Sequence, residues 1–274
     1  EPFKQVIDSF GTLYPGVNLK VQVFSTTVEL ERQFVSAAAA GLGPDLILVP
    51  ASSAPSLFDA HALAPIDEHL TDTIIARFNP ATLATLQFDG KTYGLPQSLD
   101  TMGLFVNRQL VETPATTLPA LLEQAANGVT VLMPISFVDA YWGLRAFGGQ
   151  LFNEDGMAVL DQGGFANWLA WLRDARNAPG MIQYTNREAL RQRFMAGNAG
   201  YYVCYASELS QILAALDPAS VEVYPLPSGP VGQAGPLVTS RAFLFSSVSS
   251  ENERRLAAEF AKFVTNSEQS SRLM

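Results

Sequence analysis

The chain has little cysteine, little histidine and fewer basic than acidic side chains. Its single cysteine, Cys204, excludes an intrachain disulfide and any cysteine-based metal cage. Its two histidines, His61 and His69, have no third ligand near them in the sequence, so we expect no metal site. The 26 acidic and 17 basic side chains give a net charge of −9, which repels phosphate backbones and argues against a nucleic-acid partner.

Long apolar runs are also absent. No segment reaches the roughly 18 consecutive apolar residues that a membrane-spanning helix needs, and residues 1–4 do not resemble a signal peptide. With 274 residues, of which 48% are apolar, the chain is long enough to fill two hydrophobic cores. We therefore expect two lobes.

Motifs that mark common enzymes are missing. The sequence has no G-x-S-x-G elbow and no HExxH pair, and Gly41-x-Gly43 lacks the third glycine of a dinucleotide-binding loop. We therefore predict neither catalytic residues nor a cofactor. A glycoside-hydrolysing pair of carboxylates remains open as an alternative, because four candidates are present: Asp100, Asp139, Asp155 and Asp161.

What the sequence does contain is an alternation of helix and strand patterns. In residues 34–50 an Ala-rich helix stops at Gly41, Pro44 prevents its continuation, and the apolar run 46–49 follows as a short buried strand. The alternation along the chain favours two mostly parallel sheets. Because ligands of open α/β sheets bind outside the carboxyl ends of strands, the loop after residue 49 is a candidate binding loop.

Periodicity and capping signals predict the individual elements. The predicted helices are 4–13, 28–40, 79–86, 117–126, 138–147, 164–176, a helix to 195 opened by a Thr185–Glu188 capping box, 207–216, and a last helix capped by Ser250–Glu253. The predicted strands are 17–24, 46–49, 102–106, 129–133, 200–204, 221–224 and 237–246, with a hairpin turn at Asp89-Gly90.

Polar and aromatic side chains cluster at the predicted ends of strands. A carboxylate accepts charge-assisted hydrogen bonds from hydroxyl groups, and an aromatic ring covers the C–H face of a sugar ring. These residue types together suit a neutral polyol. The predicted ligand-binding residues are Ser52, Ser53, Ser98, Asp100, Ser136, Phe137, Asp139, Tyr141, Trp142, Tyr205 and Ser207.

Structural alternatives stay open for these residues. Phe137, Tyr141 and Trp142 also fit a core beneath the start of a helix. Asp100 stands two residues after Ser98 and just before an apolar strand, where a turn or N-cap role competes with ligand binding.

Four segments resemble the family 1 extracellular solute-binding proteins, the maltose-binding-protein-like receptors of ABC sugar importers. They are residues 34–50 with the core Ala-Ala-Gly-x-Gly-Pro-Asp, the run Asp89-Gly-Lys-Thr-Tyr-Gly-Leu-Pro96, the run Leu104-Phe-Val-Asn107 and the run Ala146-Phe-Gly-Gly149. They follow the family's order over essentially the whole chain. The resemblance implies an α/β fold of the two-lobe periplasmic-binding-protein type II class, whose hinge strands let the lobes close on a carbohydrate.

On that fold, lobe 1 comprises residues 1–100 plus 239–274 and lobe 2 comprises residues 105–235, with hinge segments at about 100–105 and 236–239. The family usually has a strand before the first helix and further helices after the last one. We therefore expect this chain to lack the first strand and the C-terminal helices.

The resemblance also assigns roles by position. Asp100 matches the family's sugar-binding acidic residue, and Ser52 and Ser53 fall where the maltose receptor has a charged pair. Ser136 and its neighbours fall on the binding loop of the second lobe. Ser207 lies near the position of a stacking tryptophan, so Tyr205 or Trp142 is expected to supply the stacking face instead. These departures argue against maltose as the ligand.

The resulting expectation is a monomeric binding protein rather than an enzyme. It captures a mono- or oligosaccharide in the cleft between lobes, works with ABC permease subunits in the membrane, and is periplasmic, extracellular or held at the cell surface. Two alternatives stay open at this point: a carbohydrate-active enzyme, and a ligand-sensing module of a signalling protein.

Overall fold

The computed structural model describes residues 2–160 and 163–273, which form two compact units. Unit 1 combines Glu1–Leu99 with Thr239–Met274, and unit 2 is Asp100–Val238. None of the helices in the described part of the chain is long and apolar enough to cross a membrane.

Short helices and strands alternate through both units. The helices are α1 (Pro2–Leu13), α2 (Thr27–Ala39), α3 (Ala54–Asp59), α4 (Asp72–Ile75), α5 (Pro80–Ala84), α6 (Leu118–Ala126), α7 (Phe137–Ala140), α8 (Gly143–Ala146), α9 (Phe165–Ala175), α10 (Arg187–Met195), α11 (Leu209–Ala215), α12 (Glu251–Val264) and α13 (Ser267–Leu273). The strands are β1 (Leu46–Pro50), β2 (Gln87–Phe88), β3 (Lys91–Thr92), β4 (Gly94–Asn107), β5 (Val131–Pro134), β6 (Met181–Tyr184), β7 (Tyr201–Tyr205), β8 (Val221–Tyr224) and β9 (Val238–Phe245).

In unit 1, β9 lies between β1 and the first part of β4. Strands β1 and β9 are antiparallel, with Leu48 opposite Phe243. Because side chains alternate between the faces of a strand, Phe243 joins one core with Phe10 and Phe260, while its neighbour Leu244 joins a second core. The predicted stop of α2 is confirmed, since Gly41 adopts a φ of 71° that favours glycine.

In unit 2, the strand order is β4, β7, β5 and β6, and β8 pairs with the outer edge of β4. Strand β5 is parallel to both β6 and β7, so Val131 lies opposite Met181 and Tyr201. Strand β4 is antiparallel to β7, with Met102 opposite Tyr205. The carboxyl ends of β5, β6 and β7 therefore meet at one edge of the sheet.

Two sequence predictions about strands are wrong. The sheets are not mostly parallel, because β1–β9, β4–β7 and β4–β8 are all antiparallel pairs. Residues 17–24 alternate like a strand but form none, and Val21 and Val23 are 57% and 88% exposed. Alternation predicts only that a segment fits a sheet, and none of the described strands pairs with this one.

Three helix predictions need correction. The single helix predicted over 138–147 is two short helices, α7 and α8. The N-cap of α10 is Asn186, whose side chain accepts from the Ala189 N–H, and not Thr185. Helix α13 was not predicted, because its polar sequence lacks an apolar stripe. The Ser250–Glu253 capping box and the Asp89-Gly90 hairpin are confirmed.

Candidate functional site

The loops that follow the three parallel strands of unit 2 carry a cluster of polar side chains. Ser136 follows β5, Arg187 follows β6, and Ser207 and Glu208 follow β7. This edge is where ligands bind in open α/β sheets, because loops there converge at the ends of neighbouring parallel strands.

Ser136 and Asp139 form a local cap at the start of α7. The Ser136 Oγ accepts from the Asp139 N–H at 3.2 Å and donates to Asp139 Oδ2 at 2.6 Å. These bonds fix the carboxylate of Asp139, which is only 6% exposed. The structure therefore brings the two predicted residues together, and each uses part of its hydrogen-bonding capacity on the other.

Arg187 is the central charged residue of the cluster, and the sequence prediction missed it. Its Nη2 donates to Glu208 Oε1 at 2.7 Å, and its Nε lies 3.8 Å from Asp139 Oδ1, which is attraction without a hydrogen bond. Burial alone lowers the pKa of Arg187, but its hydrogen bond to Glu208 and the charges of Glu208 and Asp139 raise it above its usual value.

Glu208 is a buried carboxylate that is held from two sides. Besides Arg187, the Tyr202 hydroxyl donates to Glu208 Oε2 at 3.0 Å, and this hydroxyl lies 3.3 Å from the Arg187 carbonyl oxygen. Burial, followed by the charge of Glu208, raises the pKa of Tyr202 well above its usual value. Tyr202 therefore keeps its proton and acts as a donor.

Tyr205, at the end of β7, is 8% exposed and lies under the guanidinium of Arg187, whose Cζ is 4.4 Å from the ring centre. Its hydroxyl has no hydrogen-bond partner among the residues that the structure describes, and burial, followed by the charge of Asp139, raises its pKa. The ring face that was predicted to stack on a sugar is thus covered by Arg187. The hydroxyl is the group left for a ligand.

Asp100 and Ser207, both predicted, are directly bonded. Asp100 Oδ1 accepts from the Ser207 N–H at 3.1 Å, and Asp100 Oδ2 accepts from the Ser207 Oγ at 2.6 Å. The contact joins β4 to the turn after β7 within unit 2. Asp100 therefore has the turn-stabilising role that the sequence left open, and its bonds to Ser207, the residue before Glu208, keep it within the candidate site.

The three predicted aromatic residues of α7 and α8 separate into two groups. Phe137 is 54% exposed, and Tyr141 is half-buried with its ring centre 6.5 Å from that of Phe137. Trp142 is fully buried, with its ring 5.0 Å from that of Trp168. The prediction of Trp142 as a stacking face is wrong for this structure, because its ring fills the core of unit 2.

The remaining predicted residues lie in unit 1. Ser52 is exposed in the turn after β1, and Ser98 is exposed on β4. Ser53 is 7% exposed and donates to Glu31 on α2. That bond ties the predicted loop to α2, so Ser53 has a structural partner that the sequence did not indicate.

Of the four carboxylates considered for glycoside hydrolysis, Asp100 and Asp139 lie in the cluster on unit 2. Asp155 is exposed in the loop 151–158, and Asp161 lies outside the described residues. Two cavities in the described part of the chain are not lined by these carboxylates. One of about 350 Å³ in unit 1 is lined in part by Arg241. The other, of about 460 Å³ in unit 2, is lined in part by Thr130 and Gly200, at the amino ends of β5 and β7.

Chemically, the cluster on unit 2 offers hydrogen bonds and an exposed ring. Its carboxylates accept, the Tyr205 hydroxyl donates or accepts, and Phe137 presents an aromatic surface. Glu208 is already paired with Arg187, which only approaches Asp139. This arrangement suits the binding of a hydroxyl-rich molecule.

Sequence reasoning missed Arg187, Glu208 and Tyr202. A charged residue directly after a strand and an N-cap, as Arg187 is after Asn186, was the available signal. The partnership of Arg187 with Glu208 depends on two loops meeting in space, which sequence order does not show.

Comparisons with known sequences identify relatives over nearly the whole chain. A family model described as bacterial extracellular solute-binding protein matches residues 5–274. A curated binding protein of Brucella abortus (strain 2308) is 23% identical over 295 positions, which cover 96% of this chain and 71% of the relative. The maltotriose-binding protein of Pyrococcus abyssi (strain GE5 / Orsay) is 27% identical over 161 positions, which cover 56% of this chain and 34% of that protein.

Solved structures share the fold. The GacH receptor of Streptomyces glaucescens GLA.O matches with a TM-score of 0.83 and 21% identity, over 99% of this chain and 74% of that one. Maltose-bound MalE3 of T. maritima matches with a TM-score of 0.81 and 21% identity, over 99% and 75%. These likenesses confirm the predicted maltose-binding-protein-like α/β fold. The expected lack of a first strand and of C-terminal helices stays a prediction.

Proposed function

Because this chain belongs to the family of bacterial extracellular solute-binding proteins, we propose that it captures a carbohydrate. Membership of the family confirms the resemblance and the prediction of a binding protein rather than an enzyme. The observation that carries the carbohydrate proposal is the site on unit 2. There the exposed ring of Phe137 is two residues from the buried carboxylate of Asp139, and the Tyr205 hydroxyl has no hydrogen-bond partner among the described residues.

The proposed contacts on unit 2 follow from this geometry. Phe137 and Tyr141 cover the C–H face of a sugar ring, since stacking on a rigid ring costs little conformational entropy. The hydroxyl of Tyr205, together with the carboxylate of Asp139 and the hydroxyl of Ser207, binds sugar hydroxyl groups, and Asp100 holds Ser207 in place. Exposed hydroxyls of Ser52 and Ser98, with Ser53, are the proposed contribution of unit 1.

Relatives support a sugar as the ligand class. The GacH receptor has been solved with acarbose, MalE3 with maltose, and a cyclo/maltodextrin-binding protein of the same fold with maltotetraose. The Pyrococcus abyssi relative is a maltotriose-binding protein. We extend the ligand class, and not the particular sugar, to this chain.

The transport role is part of the same proposal. The protein works as a monomer, closes by a hinge on the bound sugar, and delivers it to ABC permease subunits in the membrane. Its place is the periplasm or the cell surface, as expected for an extracellular solute-binding protein. Closure requires that the ligand has a higher affinity for the closed state, which shifts the population toward that state.

A thermal-shift panel of the purified protein tests the binding step. Mono- and oligosaccharides, polyols and amino acids are compared, because a ligand that binds only the folded state raises Tm by mass action. We expect a saturable rise for one sugar class that shrinks in Tyr205→Phe. A rise with amino acids alone contradicts the proposal, and release of product on chromatography indicates the carbohydrate-active enzyme instead.

A further inference from the structure

The charges around Tyr205 do not balance. Asp139 and Glu208, which are 6% and 6% exposed, share the single guanidinium of Arg187. Arg187 is bonded to Glu208 at 2.7 Å, whereas it only approaches Asp139 to 3.8 Å. The trio therefore carries one more negative than positive charge, and the excess lies mostly on the Asp139 side.

The unused hydrogen-bonding capacity lies at the same place. The Tyr205 side chain is 8% exposed, its ring is covered by Arg187, and its hydroxyl has no partner among the described residues. A nearly buried polar group without a partner marks a position that a ligand group fills.

We propose that this cluster selects sugars by charge, so that a sugar bearing a protonated amino group binds more tightly than the neutral sugar of the same shape, and the uronate binds most weakly. The inference rests on the proposed function, since it assumes a carbohydrate ligand. An ammonium group donates charge-assisted hydrogen bonds to a carboxylate and to the Tyr205 hydroxyl oxygen. In a partly desolvated site this attraction is weakly screened.

Arg187 does not make the cluster a receptor for anions. Its guanidinium is engaged by Glu208 and lies over the ring of Tyr205. An incoming carboxylate competes with Glu208 and is repelled by Asp139. Because Arg187 is already paired within the protein, the site disfavours anionic sugars even though it contains an arginine.

Isothermal titration with charge-matched sugar series tests the inference. The probes are glucose, glucosamine and glucuronate, with a trisaccharide pair of the glucosamine trimer and its neutral N-acetylated form, in slightly acidic buffer that keeps the amines protonated. We expect the amino form to bind about tenfold more tightly than the neutral form at low salt, and the advantage to shrink as salt is raised.

Two variants separate the local charge from the net charge. Asp139→Asn keeps the shape and an acceptor for Ser136 and is expected to remove most of the amino preference. Asp155→Asn removes the same charge from an exposed loop of unit 2 and is expected to leave the preference unchanged. The salt series on the unaltered protein tests the charge effect even where Asp139→Asn does not fold.

The outcomes distinguish the two proposals. Neutral or uronate sugars that bind as tightly as the amino form, or a preference that ignores salt, overturn the charge selection and leave carbohydrate binding intact. Failure of every sugar, whatever its charge, in a protein that melts cooperatively overturns the proposed function as well.

Discussion

The guanidinium of Arg187 lies over the ring of Tyr205, with its Cζ 4.4 Å from the ring centre. The same guanidinium pairs with Glu208, three residues beyond Tyr205 in the chain, at 2.7 Å. One side chain from α10 therefore fixes both the aromatic ring at the end of β7 and the buried carboxylate that follows this strand. The stability of this turn and the shape of the candidate site depend on the same contact.

Replacing Arg187 by glutamine tests that dependence. Arg187→Gln leaves Glu208 and Asp139 as poorly compensated carboxylates, and we expect the free energy of unfolding to fall by about 2 kcal/mol, less than for a fully buried pair because Arg187 is partly exposed. Urea titration followed by circular dichroism measures the change. The matched control is Arg193→Gln on the same helix, which is exposed and forms no ion pair among the described residues, with an expected change within about 0.5 kcal/mol. Equal losses in the two variants contradict the role of Arg187.

Tyr202→Phe removes the donor to Glu208, so the expected loss is about 1 to 2 kcal/mol at neutral pH. The pKa of Tyr202 is raised in the folded protein, so the unfolded state loses this proton first. Its contribution to stability is complete below about pH 10 and is lost as pH rises above that value.

The free energy of unfolding, measured as a function of pH on the alkaline side, tests the direction of this effect. Stability of the unaltered protein falls above about pH 10, and the fall is shallower in Tyr202→Phe. It does not vanish, because burial also raises the pKa of Tyr201 and Tyr205. An identical slope in the two proteins shows that Tyr202 does not contribute.

Gly143→Ala is expected to destabilise unit 2 severely. A Cβ at this position overlaps the indole ring of Trp168, which is itself held by a hydrogen bond to the Ala140 carbonyl oxygen. The expected loss is about 3 kcal/mol, because the buried ring of Trp168 is packed against the rings of Trp142, Phe147 and Trp171. Gly11→Ala on α1 is the control, since no atom lies within 4 Å of its Cβ, and it gains about 0.5 to 1 kcal/mol in helix propensity. The melting temperatures of the two variants test this prediction: Gly143→Ala is expected to melt at a lower temperature than the unaltered protein, and Gly11→Ala is not.

Phe137→Ala tests the aromatic surface. Loss of one stacking ring costs about 0.5 to 1.5 kcal/mol, so affinity for the sugar that the thermal-shift panel identifies falls about 2- to 12-fold. Phe152→Ala is the matched control, because Phe152 is 56% exposed against 54% for Phe137 and belongs to a different loop of unit 2. Titration calorimetry that finds unchanged affinity in Phe137→Ala removes this residue from the site.

The thiol of Cys204 is expected to be inert in the folded protein. Cys204 is 0% exposed in β7, and burial, followed by the charge of Glu208, raises its pKa well above the usual value. Reaction with a coloured thiol reagent is expected only after unfolding in urea. Cys204→Ala combined with Ser36→Cys, which places the thiol on the exposed side of α2, reacts at once and serves as the control. Fast reaction of the unaltered protein means that β7 opens readily.

Sequence patterns predicted most elements because capping and periodicity are local. Ser250 and Glu253 identify the start of α12 from four residues, and Asp89-Gly90 identifies a turn from two. The direction in which strands pair is not local, which is why the antiparallel β1–β9 pair was missed. Residues 17–24 have the pattern of a strand, but a strand also needs a neighbouring strand to pair with, and the local sequence does not show whether one is present.

The candidate site shows the same limit. Sequence placed Ser136, Asp139, Tyr205 and Ser207 at strand ends, where the structure has them. It did not reveal that Arg187 covers Tyr205 or that Trp142 belongs to the core, because both depend on contacts between segments far apart in the chain. The ligand-binding roles of the residues remain proposals.

All three tryptophans of the chain, Trp142, Trp168 and Trp171, lie in unit 2, where the rings of Trp168 and Trp171 are stacked with their centres 5.2 Å apart. Intrinsic tryptophan emission is therefore a built-in, unit-specific optical signal, whereas the far-ultraviolet signal sums the helices of both units. Recording both during one thermal ramp shows whether the two units melt together or one after the other, with no label attached.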